Sequence, residues 1–162
     1  MKIFIDTYSW AKIDVLVDAS FININDLYQQ FDFCTTHDVV KEIQYRGIKS
    51  CQIQNLFIHP IKNKRIYEDA IIQQFDKADA SLLSNGSRKG DTIIITEDRP
   101  LLELGRSYGF KIIQLIDFFK ILAEFNVLTK NKFFQINREL RNLRNITKIK
   151  ENELKLFIQR LK

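Results

Sequence analysis

Residues 91–98 read DTIIITED, so three consecutive isoleucines precede a threonine and two acidic residues. An uninterrupted apolar run of this kind is typical of a strand that is buried on both faces, as the strands of a parallel sheet are. Residues 2–7 read KIFIDT, in which a second apolar run ends at an acidic residue. The chain is therefore predicted to contain two buried strands that are each closely followed by an aspartate, Asp6 in one case and Asp98 in the other.

Short apolar runs and segments of helical periodicity alternate along most of the chain. Strands are predicted over residues 2–6, 31–35, 56–61, 91–96 and 111–115. Helices are predicted over residues 7–16, 36–46, 65–83, 99–108, 117–125, 130–145 and 150–162, and a shorter one, capped by Asn25 or Asp26, runs to Phe31. This alternation predicts a three-layer α/β/α fold whose five-stranded parallel sheet has the order 3-2-1-4-5.

Parallel sheets of this type place their sites at the carboxyl ends of the strands, where the strand order reverses. In the predicted order, strands 1 and 4 are neighbours at that point. Asp6 and Asp98 then share one crevice although they are far apart in the sequence. Asp91 is the first residue of predicted strand 4 and is expected at the opposite edge of the sheet.

Two further acidic residues, Glu42 and Asp79, lie on predicted helices, and Asp79 stands among small and apolar residues. Carboxylates gathered in this way lose hydration and repel one another unless a hard divalent cation neutralises them. A metal-dependent active site is therefore the leading hypothesis. Simpler interpretations are helix N-caps for Asp6 and Asp98 and a solvated helix position for Glu42.

A chain of 162 residues suits one compact domain. We expect a core over residues 1–125 and a helical extension over residues 126–162 that packs on the same domain. No apolar run approaches the roughly 18 residues that span a bilayer, and the N-terminus has no apolar signal segment, so a cytoplasmic protein without a membrane partner is expected. Cys34 and Cys51 lack the spacing of a zinc site and are expected to be buried thiols.

The net charge of +5 is unevenly distributed. From residue 126 onwards the chain has ten basic and three acidic residues, whereas the preceding part has 15 basic and 17 acidic residues. A basic tail favours a polyanionic partner, although a solvated helical face explains it equally simply. The tail also carries an apolar stripe, which suits packing on the protein's own core or on a partner. The stripe consists of Phe133, Phe134, Ile136, Leu140, Leu143 and Ile146, with Arg138, Arg141 and Arg144 on another face.

Four segments, in this order and spacing, resemble the motifs of the PIN domain family. They are residues 3–7 (IFIDT), 39–43 (VVKEI), 78–83 (ADASLL) and 95–101 (ITEDRPL). The gap between Asp79 and Asp98 is the most specific part of the pattern. The resemblance covers about residues 1–120, and the last two predicted helices fall outside it.

The resemblance implies a metal-dependent ribonuclease, often the toxin of a bacterial or archaeal toxin–antitoxin pair. The acidic metal-binding positions of the family correspond here to Asp6, Glu42, Asp79 and Asp98. Asp6, Asp79 and Asp98 would bind one or two Mg²⁺ or Mn²⁺ ions directly. Glu42 would ligate through water or help to deprotonate the water that attacks the RNA phosphodiester.

The neighbours of these acids are also matched by the resemblance. Thr96 matches a hydroxyl residue that helps to orient the family's site, and Thr7 follows the first aspartate as in many members. Arg99 and Lys89 suit contacts with RNA phosphate, or plain solvation. The chain departs from the family at Glu97, where an asparagine is frequent.

Three alternatives stay open to different degrees. A receiver-like phosphoacceptor domain needs an aspartate after strand 3, but that strand ends in residues 59–61, HPI, which counts strongly against this class. A non-catalytic module that binds RNA or a partner through the basic tail is a second alternative. Within the enzyme class, a toxin and an RNA-processing housekeeping nuclease are equally compatible with the sequence. Because PIN domains frequently dimerise, a homodimer is expected, and a toxin would also have a small antitoxin protein as partner.

Overall fold

Five parallel strands form one sheet in the computed structural model, which describes residues 1–143 and 147–161. The strands are β1 (Lys2–Ile5), β2 (Asp32–Thr36), β3 (Phe57–His59), β4 (Thr92–Ile95) and β5 (Lys111–Ile113). Their order is β3-β2-β1-β4-β5, and every neighbouring pair is parallel. The predicted α/β fold and its strand order are confirmed.

The two strands that the sequence marks as most apolar lie at the middle of the sheet. Ile3 of β1 pairs with Phe33 of β2 on one side and with Ile93 of β4 on the other. All four residues of β4 are buried, as are the last three of β1. Continuous apolar runs are required here because helices cover both faces of these strands.

The helices are α1 (Thr7–Asp18), α2 (Ile24–Gln30), α3 (His37–Arg46), α4 (Lys64–Ile72), α5 (Lys77–Ser84), α6 (Arg99–Ser107), α7 (Leu115–Glu124), α8 (Lys130–Asn142) and α9 (Lys148–Arg160). Local sequence explains how several of them begin and end. The Thr36 hydroxyl accepts a hydrogen bond from the first turn of α3, and that helix ends at Gly47, whose φ of +66° is a conformation that glycine adopts without strain.

The structure corrects the predicted helix over residues 65–83, which is two helices. The chain turns between α4 and α5, and Gln74 there adopts a left-handed φ of +68°. This turn lets Phe75 pack against the core, and Asp76 then caps α5. A helical apolar spacing continues across the break, so periodicity alone did not reveal it.

The cap of α2 is also corrected. Asn23 is the N-cap, since its side-chain oxygen accepts from the backbone N–H of Asn25 at 3.1 Å. Asp26 lies inside the first turn, where its carboxylate accepts from the Asn23 amide at 3.0 Å. The predicted caps, Asn25 and Asp26, are therefore residues of the helix itself.

Helices α8 and α9 share the hydrophobic core of the sheet. Their buried side chains in that core are Phe133, Ile136, Leu140 and Leu154. Of the predicted apolar stripe, Phe134 is 52% exposed and Leu143 is also exposed. Ile146 and Arg144 lie outside the described residues. The division of the chain at residue 125 stays a prediction.

The segments that follow β1, β2 and β4 leave the sheet at one edge, formed by the carboxyl ends of the strands. Asp91 lies at the other edge, where its carbonyl oxygen accepts from the backbone N–H of Lys2 at 2.9 Å. Both cysteines are buried and free. Within residues 1–143 and 147–161, none of the helices has the length and hydropathy needed to cross a bilayer.

Candidate active site

Asp6 connects β1 to α1 and is almost fully buried, with 3% of its surface exposed. Its Oδ1 accepts from the backbone N–H of Ser9 at 2.6 Å, so Asp6 caps α1. Its Oδ2 accepts from the Thr96 hydroxyl and from the backbone N–H of Glu97 at 3.3 Å. Burial raises the pKa of the Asp6 carboxyl group, and these hydrogen bonds oppose that effect only in part.

Thr96 follows β4, and its hydroxyl links Asp6 to Asp98. While it donates to Asp6, it accepts from the backbone N–H of Asp98 at 3.0 Å. Asp98 is exposed and caps α6, because its Oδ1 accepts from the backbone N–H of Leu101 at 2.8 Å. The N-cap interpretation is thus correct for Asp6 and Asp98. A capping carboxylate keeps further acceptor positions, so capping does not preclude ligation.

Glu42 reaches the same edge of the sheet from α3. The Thr7 hydroxyl at the start of α1 donates to Glu42 Oε2 at 2.6 Å. Because Thr7 directly follows Asp6, this bond fixes Glu42 close to the buried aspartate. Glu42 is therefore held by a specific partner and is more than a solvated helix position.

Asp79 is brought to the site by α5, which is tied to the end of β2. The Thr36 and Ser81 hydroxyls lie 2.5 Å apart and are both buried. The backbone N–H of Asp79 donates to Asp76 Oδ1 at 2.8 Å. Asp76 therefore caps α5 and fixes the first turn of that helix. The small residues that flank Asp79, Ala78 and Ala80, are buried, as expected for close packing.

Asp79 shows the strongest electrostatic signature of the site. Burial raises the pKa of its carboxyl group to about 8, and nearby negative charges add to the effect. Those charges belong to Asp76, Asp6, Asp98 and Glu42. The other three predicted acids therefore lie within electrostatic range of Asp79, and we call Asp6, Glu42, Asp79 and Asp98 the acidic cluster.

The acidic cluster suits Mg²⁺ or Mn²⁺ in donor chemistry and charge. Carboxylate oxygens are the ligands that these ions prefer, and a cation would relieve the repulsion that raises the pKa of Asp79. With the side chains as they stand, no three acidic, histidine or cysteine residues within 1–143 and 147–161 converge closely enough to hold one ion. Ligation by three carboxylates thus requires side-chain rotation.

Glu97 has a structural role that the sequence did not reveal. Its Oε1 accepts from the backbone N–H of Leu115 at 2.8 Å, at the first residue of α7, and its Oε2 lies 3.1 Å from Lys12 Nζ. Burial raises the pKa of the Glu97 carboxyl group, and Lys12 opposes this effect. Glu97, at the position where PIN domains frequently have asparagine, therefore links α1 and α7 beside the acidic cluster. Its only signal in the sequence was this departure from the PIN pattern.

The two predicted phosphate contacts are placed differently. Arg99 follows Asp98 directly and is exposed, and its guanidinium Nε lies 2.9 Å from Glu103 Oε1. Lys89 lies in the turn before β4, at the edge of the sheet opposite the acidic cluster. The structure thus brings Arg99 to the acids but not Lys89. Asp76, which the sequence did not mark, joins the surroundings of Asp79.

A scan of the chain against protein-family models finds no match, and a search of the curated proteins finds none either. The similarity to PIN domains consequently rests on the four sequence segments described above. The fold and the position of the acidic cluster are compatible with it.

Proposed function

We propose that the protein is a Mg²⁺- or Mn²⁺-dependent endoribonuclease of the PIN type, which hydrolyses RNA phosphodiester bonds at the acidic cluster. The observation that carries the proposal is the arrangement of these carboxylates, in which Thr96 binds Asp6 and Thr7 binds Glu42. Asp79 lies close enough to them that burial, together with their charges, raises the pKa of its carboxyl group. Structural stability alone disfavours such an arrangement. Perturbed carboxyl groups at the carboxyl ends of parallel strands are typical of functional sites.

The residues of the acidic cluster would have two roles, metal binding and activation of the attacking water. Asp6, Asp79 and Asp98 would hold one or two ions through carboxylate oxygens. A bound divalent cation neutralises charge that develops on the phosphoryl group and lowers the pKa of a ligated water. Thr7 donates to Glu42 Oε2, which leaves Glu42 Oε1 to accept a proton from the attacking water.

A second candidate, a non-catalytic module that binds RNA or a partner, is favoured by one observation. In the part of the chain that the structure describes, no three potential ligands converge on a single ion position. A module of this kind would bind RNA without cleaving it.

Cleavage of labelled single-stranded RNA in Mg²⁺ or Mn²⁺, compared with EDTA, separates the two candidates. We expect metal-dependent cleavage that Asp6→Asn abolishes. Asp91→Asn is the matched control, because Asp91 lies at the opposite edge of the sheet, and it should cleave like the wild type. If Asp6→Asn cleaves as fast as the wild type, the assigned site is wrong. No cleavage of varied substrates in either metal would favour the module.

For the biological role we propose the toxin of a type II toxin–antitoxin pair, with the resemblance to PIN domains as support. A gene for a small antitoxin directly upstream would favour this role. Expression of the wild type should arrest growth, and expression of Asp6→Asn should not. Cleavage in vitro without growth arrest would favour an RNA-processing housekeeping nuclease instead.

A further inference from the structure

An exposed aromatic ring and a cation lie together on the surface beside the acidic cluster. Tyr8, in the first turn of α1, is 59% exposed although it carries a large aromatic ring. The guanidinium carbon of Arg46, in the last turn of α3, lies 4.7 Å from the centroid of the Tyr8 ring. This distance is that of a cation–π contact between the guanidinium group and the ring.

Neighbouring contacts fix where this pair lies. Tyr8 directly follows Thr7, whose hydroxyl donates to Glu42 at 2.6 Å. Arg46 is four residues after Glu42 in α3 and therefore shares its helix face. The pair consequently borders the acidic cluster, one helical turn away from Glu42. Tyr45, 92% exposed, adds a second aromatic side chain to the same end of α3.

The charge of Arg46 is available to a ligand. Lys41, the other cation of α3, is already paired with Asp38 at 3.0 Å. No carboxylate within residues 1–143 and 147–161 forms an ion pair with Arg46. A basic residue in the last turn of a helix is favourable on its own account, but this does not explain the exposed ring that Arg46 covers.

We propose that Tyr8 and Arg46 form a stacking subsite for one unpaired nucleobase of single-stranded RNA, adjacent to the phosphate that reaches the acidic cluster. This inference rests on the proposed function. Unpaired bases stack on tyrosine rings and on arginine guanidinium planes, and every base offers such a face, so the subsite does not require a particular sequence. The charge of Arg46 attracts the neighbouring phosphate, which the acids alone would repel.

The subsite also makes the protein discriminate between single-stranded and duplex RNA. A base inside a duplex is already stacked between its neighbours and presents only its edges. Tyr8 therefore contributes more to the binding of a single strand than to the binding of a blunt duplex of the same length, in which only the terminal base pairs expose a face.

The first test measures binding by fluorescence anisotropy with a labelled single-stranded RNA, in Mg²⁺ and in the Asp6→Asn background to prevent cleavage. Tyr8→Ala should weaken binding by about 5- to 150-fold, the range found when a stacking aromatic is removed. Tyr8→Phe should retain binding, because the ring is kept. Arg46→Ala should weaken binding and reduce the salt slope by about 0.7, the value for one phosphate contact with a single strand. Tyr8→Ala should leave that slope unchanged.

Matched controls lie at the opposite edge of the sheet, at the far ends of α6 and α7. Arg106 and Phe125 are both exposed, and Arg106→Ala and Phe125→Ala should bind as the Asp6→Asn parent does. Because Tyr8 is itself exposed, Tyr8→Ala should keep the thermal unfolding midpoint of the parent. An unchanged midpoint would show that a loss of binding in Tyr8→Ala comes from the missing ring and not from unfolding.

The second test locates the base without relying on affinity. Tyr8→Trp introduces an exposed indole, whereas the native Trp10 is fully buried. Addition of the unlabelled single strand should quench the fluorescence of Tyr8→Trp more than that of the wild type. Phe125→Trp, at the opposite edge, should respond as the wild type does.

The outcomes separate this inference from the proposed function. If the wild type cleaves RNA while Tyr8→Ala binds the single strand normally and Tyr8→Trp shows no added quenching, the subsite is wrong and the nuclease stands. An equal loss of duplex and single-strand binding in Tyr8→Ala would also overturn the subsite. If the wild type neither binds nor cleaves RNA, the proposed function fails and the subsite fails with it.

Discussion

Asp79 is a residue of the acidic cluster whose ionised form is disfavoured by its surroundings. Its carboxyl group is held among other carboxylates, and burial with these charges raises its pKa to about 8. Asp6 is the most buried member of the acidic cluster, and burial raises its pKa as well. Both groups favour a bound proton or a bound cation in the folded protein, so protons and metal ions should compete for the site.

This competition predicts a pH dependence of stability in metal-free buffer. The pKa of Asp79 is higher in the folded protein than its value of 3.8 in the unfolded chain, so the folded state binds the proton more tightly. The resulting stabilisation is present below pH 4 and is lost as the pH rises through about 8. Urea unfolding in EDTA should therefore give a lower free energy of unfolding at pH 8.5 than at pH 5.5.

Asp79→Asn should reduce this difference, since the neutral amide has no proton to lose. Mg²⁺ should stabilise the wild type more at pH 8.5 than at pH 5.5, because the ion replaces the lost proton. The same difference between the two pH values in Asp79→Asn and the wild type would contradict the assignment of the effect to Asp79.

Glu97 stabilises the fold through an ion pair and a hydrogen bond. Its ion pair with Lys12 is largely buried, and the same carboxylate satisfies the first N–H of α7. Glu97→Ala should lower the free energy of unfolding by about 2–3 kcal/mol, because it leaves the Lys12 charge unpaired and the Leu115 N–H without its acceptor. Glu97→Gln keeps an acceptor and should cost less. Equal stability of Glu97→Ala and the wild type in urea would contradict this role.

At the scale of elements, α5 has the sharpest positional requirement, because it carries Asp79 in its first turn. The helix is fixed at its start by the Asp76 cap and along its length by the Thr36–Ser81 contact. A displaced first turn would separate Asp79 from Asp6, which follows β1, and from Asp98, which caps α6. The short turn after α4 thus positions the site as well as linking two helices.

The Asp76 cap can be tested with a matched pair of variants. Asp76→Ala should lower the free energy of unfolding by about 1 kcal/mol and slow RNA cleavage, because the first turn of α5 loses its anchor. Asp76→Asn retains a capping oxygen and should keep the stability of the wild type within about 0.5 kcal/mol. If Asp76→Ala is as stable as Asp76→Asn in urea, the cap does not hold the turn.

At the scale of the whole molecule, the C-terminal helices complete the core. Phe133 is fully buried and packs against Phe157, with ring centroids 5.4 Å apart, while the adjacent Phe134 is half exposed. Phe133→Ala should therefore cost about 3–5 kcal/mol in one cooperative transition. Phe134→Ala, the matched control, should cost less than about 1 kcal/mol. Two separate transitions in Phe133→Ala would show that residues 126–162 unfold independently.

A homodimer is predicted for the whole molecule from the resemblance to PIN domains. Exposed apolar side chains on α8 and α9, among them Phe134 and Leu156, are suited to such a contact. Light scattering at micromolar concentration should give about twice the chain mass of 19.2 kDa. A monomeric mass would contradict the prediction.

Local sequence patterns predicted the sheet because they report burial and backbone hydrogen bonding directly. The isoleucines of β4 and the apolar run of β1 indicate strands that are buried on both faces, as central strands of a parallel sheet are. The strand order then follows from the rules for connections between such strands. That topology placed Asp6 and Asp98 at one edge and Asp91 at the other. The motif resemblance added Glu42 and Asp79, which periodicity alone left ambiguous.

The tertiary structure decided what depends on contacts between distant residues. The break between α4 and α5, the pairing of Glu97 with Lys12 and the contact of Arg46 with Tyr8 depend on how helices pack, and a pattern along the chain does not encode packing angles. The sequence by itself therefore determined the fold and the acids that lie at the carboxyl ends of its strands. Only the tertiary structure decided their spacing, their proton affinity and which aromatic and basic side chains stand beside them, because these follow from burial and distance in three dimensions.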